Sequence, residues 1–301
     1  MPHLPSPNYE RDVNRLISYY KKAFLVVSQQ LRVIPQLRTI EKAQAEALLG
    51  QIMFTLRELD NSTKNWSDDV IRKTFTEAQA RTVLTLGAAS TLSEAASSVS
   101  FSLLARERVE ALINDTYSDL LMATQNTERK VKRLVRNTVG EAMRMKAIEQ
   151  LGRRTTKKAI VAELTLQGLS RQLQSDAWVG IVDKAGRRWK LSTYAEMVVR
   201  TKLTQAHIEG VRVETLERGV DLAVISSHGA KDACSSYEGM IISLHGLTKG
   251  YLTYEEVRAT GKIFHPNCQH HVSPVRDVNL LPSTLRDKHE EKRKQLQQRR
   301  N

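Results

Sequence analysis

Along the first half of the chain, apolar residues recur at the spacings of three and four that lay one stripe on a helix. Ile17, Tyr20, Phe24, Val27 and Leu31 predict a helix from Tyr9 to Leu31, and Pro35 ends it or sits in the turn beyond. Ala45, Leu48, Ile52, Leu56 and Leu59 predict a second helix from Thr39 to Leu59, with a loop over the polar run that begins at Asp60. Ser67 is placed to cap a third, with Asp68 and Asp69 in its first turn and Trp66 stapled onto Ile71. The Ala- and Ser-rich stretch from Gly87 to Ser102 fits either a close-packed helix or a linker. Leu104 to Met122 returns to the helical pattern through Val109, Leu112, Thr116 and Leu120.

From Glu128 to Lys158 a heptad-like seam of Val131, Val135, Thr138, Ala142 and Met145 runs beneath a strongly charged surface, eleven Lys and Arg against three Glu. Such a helix has one packed face and one cationic face. Thr155 and Thr156 open a further helix through Ile160, Leu164 and Leu169.

The pattern changes near Trp178. Ile181-Val182 and Trp189-Leu191 bracket Asp183-Lys184-Ala185-Gly186, two strands around a glycine-containing turn. Ser192 and Thr193 are placed to cap a helix carrying Met197, Val198, Leu203, Ala206 and Val211, and irregular loops rich in Cys and His follow as far as Pro274. Beyond Pro282 the chain is charged with almost no apolar content, which fits a frayed helix or a disordered tail. The expected architecture is mainly α over residues 1–175, with the basic helix at 128–158, then a small α+β module with irregular Cys/His loops at 176–276, and a basic tail at 277–301.

Composition adds a charge argument. The 301 residues carry a formal charge of +13, with an isoelectric point near 9.8, which favours an acidic partner, nucleic acid first among them. Candidate phosphate contacts are Arg129, Lys130, Lys132, Arg133, Arg136, Arg144, Lys146, Arg153 and Arg154, which suit a binder that tracks the backbone of double-stranded DNA without reading its sequence. A solvated outer face is the ordinary alternative. The N-terminus lacks a basic-then-apolar signal pattern and no apolar run approaches a membrane span, so a soluble cytoplasmic product without membrane contact is expected.

The two cysteines, Cys234 and Cys268, do not suggest a disulfide scaffold. They lie among His228 and Asp232 on one side and His265, His270 and His271 about thirty residues later, a separation compatible with a structural zinc site clipping two loops. Cys234, His265, Cys268 and His270 are the favoured ligands. Neither half has a Cys-x-x-Cys knuckle, and the competing account buries Cys268 as a small hydrophobe while His265 and His270 bond loop carbonyls. The segment His265-Pro266-Asn267-Cys268-Gln269-His270-His271 in a basic protein also resembles the loops of metal-dependent nucleases, the alternative function, although no clear ββα metal motif adjoins it. Arg187, Arg188 and Trp189 offer stacking or phosphate contacts, and Arg200 and Glu209 a nucleotide-handling cleft. No nucleophile with a credible base and no glycine-rich phosphate cradle accompany them, so no catalytic residue is assigned.

The order Asp183, Gly186-Arg187-Arg188-Trp189, Leu191, Tyr194-Ala195-Glu196-Met197, Arg200-Thr201, Ala206-His207 and Glu209-Gly210-Val211 resembles the C-terminal module of the phage minor capsid protein 2 family, related to phage head morphogenesis proteins. Ser227-His228, Tyr237-Glu238-Gly239 and Asn267-Cys268-Gln269-His270 fit the same pattern, with Gln269 where the family usually has Arg. The likeness covers roughly the last third of the chain. It implies a non-enzymatic minor structural protein of a phage head, located in the virion after assembly in the host cytoplasm. The implied partners are the portal protein and other head proteins, with self-association open, and the implied action is in DNA packaging or delivery.

Overall fold

The computed structural model describes residues 4–33, 42–99, 101–150 and 179–298. The architecture is a helical N-terminal region followed by a small α+β part with few strands, as the pattern predicts. No described helix is long and apolar enough to cross a membrane. The chain divides into two compact units, one of Met1–Tyr9, Ser67–Thr116 and Met197–Asn301, the other of Glu10–Trp66 and Tyr117–Glu196.

The second of these units is built on helices. In α1 (Glu10–Val33) the buried stripe is Val13, Leu16, Tyr20, Ala23, Val27 and Leu31. Ile17 is buried as expected, but Phe24 is 43% exposed and Ala23 takes the inward position, because neighbouring residues differ by only about 100° around the helix. Helix α2 (Lys42–Thr85) runs unbroken through the segment expected to be a loop. Leu59, Thr63, Trp66 and Val70 continue its buried face at helical spacing, and Thr63 satisfies its hydroxyl by donating to the Leu59 carbonyl at 2.7 Å. Ser67 is therefore a buried interior residue and caps nothing. Trp66 donates its indole N–H to the Asp12 carbonyl at 3.0 Å.

Helix α4 (Leu103–Gln150) likewise joins two predicted helices, since Leu120, Ala123, Thr127 and Val131 keep the period across the polar join. Val131, Leu134, Val135 and Val139 pack with Val27, Leu31, Ile52, Met53 and Leu56 into one core, so the predicted seam is present as far as its side chains are described. A hairpin of β1 (Val179–Val182) and β2 (Arg188–Lys190) pairs antiparallel as expected. The helix expected from Thr155 lies outside the described residues.

In the other unit, α3 (Leu92–Ser98) resolves the Ala/Ser stretch as a short helix, capped by Thr91 and packed through Ala95 against Ala80, Val83 and Leu84. Helix α5 (Leu191–Glu217) begins one residue before the expected cap, with Leu191 buried. At Gly210 an added Cβ would lie 2.4 Å from the Phe75 carbonyl oxygen, so only glycine lets α5 approach α2 this closely.

A three-stranded antiparallel sheet of β3 (Leu222–Ile225), β4 (Ile241–Ser243) and β5 (Val272–Val275) has β3 at its centre. Its core of Ile225, Ile242, Leu244 and Val272 joins Ile208 and Val211 of α5 and Tyr254 and Val257 of α6 (Tyr254–Ala259). The charged C-terminal segment forms α7 (Ser283–Gln298), which packs against this core through Leu296 and accepts the Ile241 N–H on His289 Nδ1 at 3.1 Å. One buried histidine thus satisfies an edge-strand donor.

Candidate metal centre

The register Ile225↔Val272 brings the chain leaving β3 beside the chain entering β5 at one end of the sheet. Ser226 N–H donates to the His271 carbonyl at 2.9 Å and the Ser226 hydroxyl accepts from His271 N–H at 3.1 Å, locking the two loops together. On the first loop Asp232 caps a single turn, Ala233–Ser236, by accepting from Cys234 N–H, and this turn presents the Cys234 thiol inward. The second loop is held to α5, where Thr201 accepts from Asn267 N–H at 3.2 Å and Thr204 donates to the Cys268 carbonyl. Phe264 and Asn267, with φ of 56° and 63°, bracket His265 and Pro266 in the left-handed region. Non-glycine residues in that region are costly and concentrate at functional sites.

Three of the four favoured ligands, Cys234, Cys268 and His270, come together, and His265 lies beside Cys234 in a separate group with Asp232. Cys234 Sγ lies 3.0 Å from His265 Nε2 and 3.8 Å from Cys268 Sγ, which is 3.3 Å from His270 Nδ1. Zn–S near 2.3 Å and Zn–N near 2.0 Å in a tetrahedron give ligand–ligand edges of roughly 3.3–3.8 Å, so the Cys234–Cys268 and Cys268–His270 spacings fit a metal ion, whereas Cys234–His265 is at hydrogen-bond distance. Cys234, Cys268 and His270 form one mutually close triad, Asp232, Cys234 and His265 a second, and His228, Glu238 and His270 a third. These groups could hold a metal ion.

Electrostatics orient the donors. Burial alone would raise the Glu238 carboxyl, but N–H donors from Ala230, His228 and the His270 ring bring it down to about 2. As a carboxylate it can only accept, so His270 Nε2, 3.3 Å away, carries the proton, and Nδ1 presents its lone pair to Cys268. Burial together with His228 lowers the His270 pKa and favours the neutral, ligating form. This carboxylate–histidine arrangement is what orients ligands in metal sites. The Cys234 thiol is pushed up to about 12 by burial and by Cys268, and a bound cation would reverse that by favouring thiolate.

Glu238 is the functional candidate the residue reading missed as such; its only sequence signal was the Tyr237-Glu238-Gly239 motif. Of the other candidates, His271 stacks edge-on against buried His207, which is bonded to the Tyr9 hydroxyl at 2.7 Å. Glu209 is engaged by Arg212, itself over the Tyr254 ring, and Asp183 binds the Trp189 indole and Arg187 within their own turn. These contacts account for both groups structurally.

The nine candidate phosphate contacts are distributed along α4 and beyond it. Arg129, Arg133, Arg136 and Arg144 are exposed, while Lys130 and Lys132 are half-buried. Arg129 bonds Asn126, Lys132 pairs with Glu128 and Arg144 with Glu141, whereas Arg133 and Arg136 form no ion pair among the described residues. The Lys146 side chain, Arg153 and Arg154 lie outside the described residues.

A family model described as Phage minor capsid protein 2 matches residues 37–301. No curated protein and no solved structure matches the chain.

Proposed function

Because this chain belongs to the phage minor capsid protein 2 family, we propose that it is a portal-associated head protein that contacts the packaged genome and acts in DNA packaging or delivery. The family assigns a structural role in the phage head, and with it a place in the virion and association with other head proteins. In this reading the α+β part grips the portal protein, and the cationic face of α4 meets the DNA backbone during assembly in the host cytoplasm.

The observation that carries the DNA reading is the division of α4 into two faces. Val131, Leu134, Val135 and Thr138 are buried, while Arg129, Arg133 and Arg136 stand exposed at spacings of four and three. Retention on nonspecific duplex should fall steeply with salt, and reversing the charge of Arg129, Arg133 and Arg136 should reduce the logarithmic salt slope by up to about 2.7. An unchanged slope would reject the DNA contact.

The metal reading is that zinc knits the two loops, held by Cys234, Cys268 and His270 with His265 alongside. It is supported by the distances and by the Glu238–His270 orientation. Elemental analysis should find about one zinc per chain, lost in Cys268→Ser; a metal-free protein purified without chelator would refute it.

A further inference from the structure

The metal reading leaves open how many protein donors complete the coordination shell. Cys234, Cys268 and His270 are all buried and lie mutually close. His265 groups instead with Cys234 and Asp232. Its side chain is 31% exposed, its Nδ1 is 2.9 Å from the Pro266 carbonyl, and its Nε2 lies between Cys234 Sγ and Asp232 Oδ2, the latter at 3.8 Å. It is thus bound on both ring nitrogens at the edge of the cluster. All three buried donors also line one cavity of about 440 Å³, whose wall adds His228, Lys231, Asn267 and Gln269. An ion seated on the triad therefore sits in the cavity wall.

We infer that an ion held by Cys234, Cys268 and His270 keeps its fourth position open to this cavity and takes there an exchangeable oxyanion of the phosphate class. The inference rests on the metal reading. A tetrahedral ion needs a fourth donor, and three protein ligands with one open position is the pattern of an accessible site rather than a closed structural one. The class of ligand follows from the wall. Lys231 supplies a cation, Asn267 and Gln269 supply amide donors, and Asp232 is the single carboxylate among the lining residues.

Cobalt(II) distinguishes the possibilities, because thiolate ligation gives charge-transfer absorption and the visible ligand-field bands report coordination number. The full chain loaded with cobalt should show both, and inorganic phosphate should shift the visible bands saturably. His265→Ala should bind cobalt within a few-fold of wild type and show the same phosphate response. If phosphate leaves the wild-type bands unchanged and His265→Ala loses affinity ten-fold or more, His265 closes the shell and the open position is wrong, while the metal reading survives. Absence of charge-transfer absorption in the wild type would overturn both. Because the phosphate titration is done on the unaltered chain, the test does not depend on how the variant folds.

Discussion

Replacing Gly210 by Ala sets two effects of known sign against each other. In a helix interior Ala is favoured over Gly by about 1 kcal/mol, so propensity alone predicts stabilisation. The structure opposes it: the new methyl would lie 2.4 Å from the Phe75 carbonyl oxygen and 2.9 Å from the Ala78 Cβ. A backbone oxygen has no rotamer to escape into, so α2 and α5 must part by on the order of 1 Å, and Ile208 and Val211 of α5, both buried, lose packing in the core they share with Ala78 of α2. Overpacking of this kind costs about 1–3 kcal/mol and sometimes more. Because the clash is with backbone, the cost falls in the upper part of that range, about 2–3 kcal/mol, and after the propensity gain of about 1 kcal/mol the net expectation is a loss of about 1–2 kcal/mol, or several degrees in Tm at about 2–4 °C per kcal/mol. Gly140→Ala in α4 is the control, since its Cβ would meet nothing within 4 Å and only the propensity gain remains. Thermal melts of the two variants should move in opposite directions. If Gly210→Ala stabilises as much as Gly140→Ala, the close approach of α5 to α2 is not real, and the placement of Thr201 and Thr204 beneath the loop of Asn267 and Cys268 goes with it.

Three further outcomes follow from the charged and buried groups. Burial raises the Asp60 pKa to about 6, so its carboxylate opposes folding fully above that pH and little below about 4. Asp60→Asn should therefore raise Tm at pH 7, with the gain closing in acid; an equal gain at both pH values would contradict the assignment. Burial depresses the His289 pKa, and its neutral Nδ1 is needed to accept the Ile241 N–H. That contribution is complete above the ordinary histidine value of about 6.5 and is lost as pH falls through the depressed folded value, so the amide protection factor of Ile241 should drop only below about pH 6.5. Constant protection would show that α7 does not depend on this bond. Glu238→Gln should weaken metal binding about 10- to 100-fold in a competitive chelator titration while the fold persists, and wild-type affinity in that variant would remove Glu238 from the site.

What the sequence could and could not disclose divides along a physical line. The seam of α4 was readable because burial there is carried by apolar side chains at a fixed period, and the hairpin because Gly186 supplies the positive φ its turn requires. The continuity of α2 was not, since Asn61, Ser62 and Asn65 are poor helix formers and the face they interrupt is completed by Thr63 and Ser67. The threonine is tolerated there because its hydroxyl returns to its own helix, a bond no hydropathy pattern records. The packing of α7, expected only as a frayed helix or a disordered tail, hid for a related reason: a single buried histidine and Leu296 do not make a stripe.

The candidate centre repeats that division at the scale of single atoms. Cys234, His265, Cys268 and His270 could be chosen as candidates from residue type alone, because thiolate and imidazole are the side chains that ligate zinc. Glu238 could not be, since backbone N–H groups of His228 and Ala230 hold its carboxylate, and such donors exist in every sequence. Yet this carboxylate decides which nitrogen of His270 carries the proton, and so whether a lone pair faces Cys268 at all. The residue types suggest the chemistry, but the tautomer that would make His270 a competent ligand comes from the turn between Ser226 and Gly239, whose shape follows from the pairing of β3 with β4 and β5.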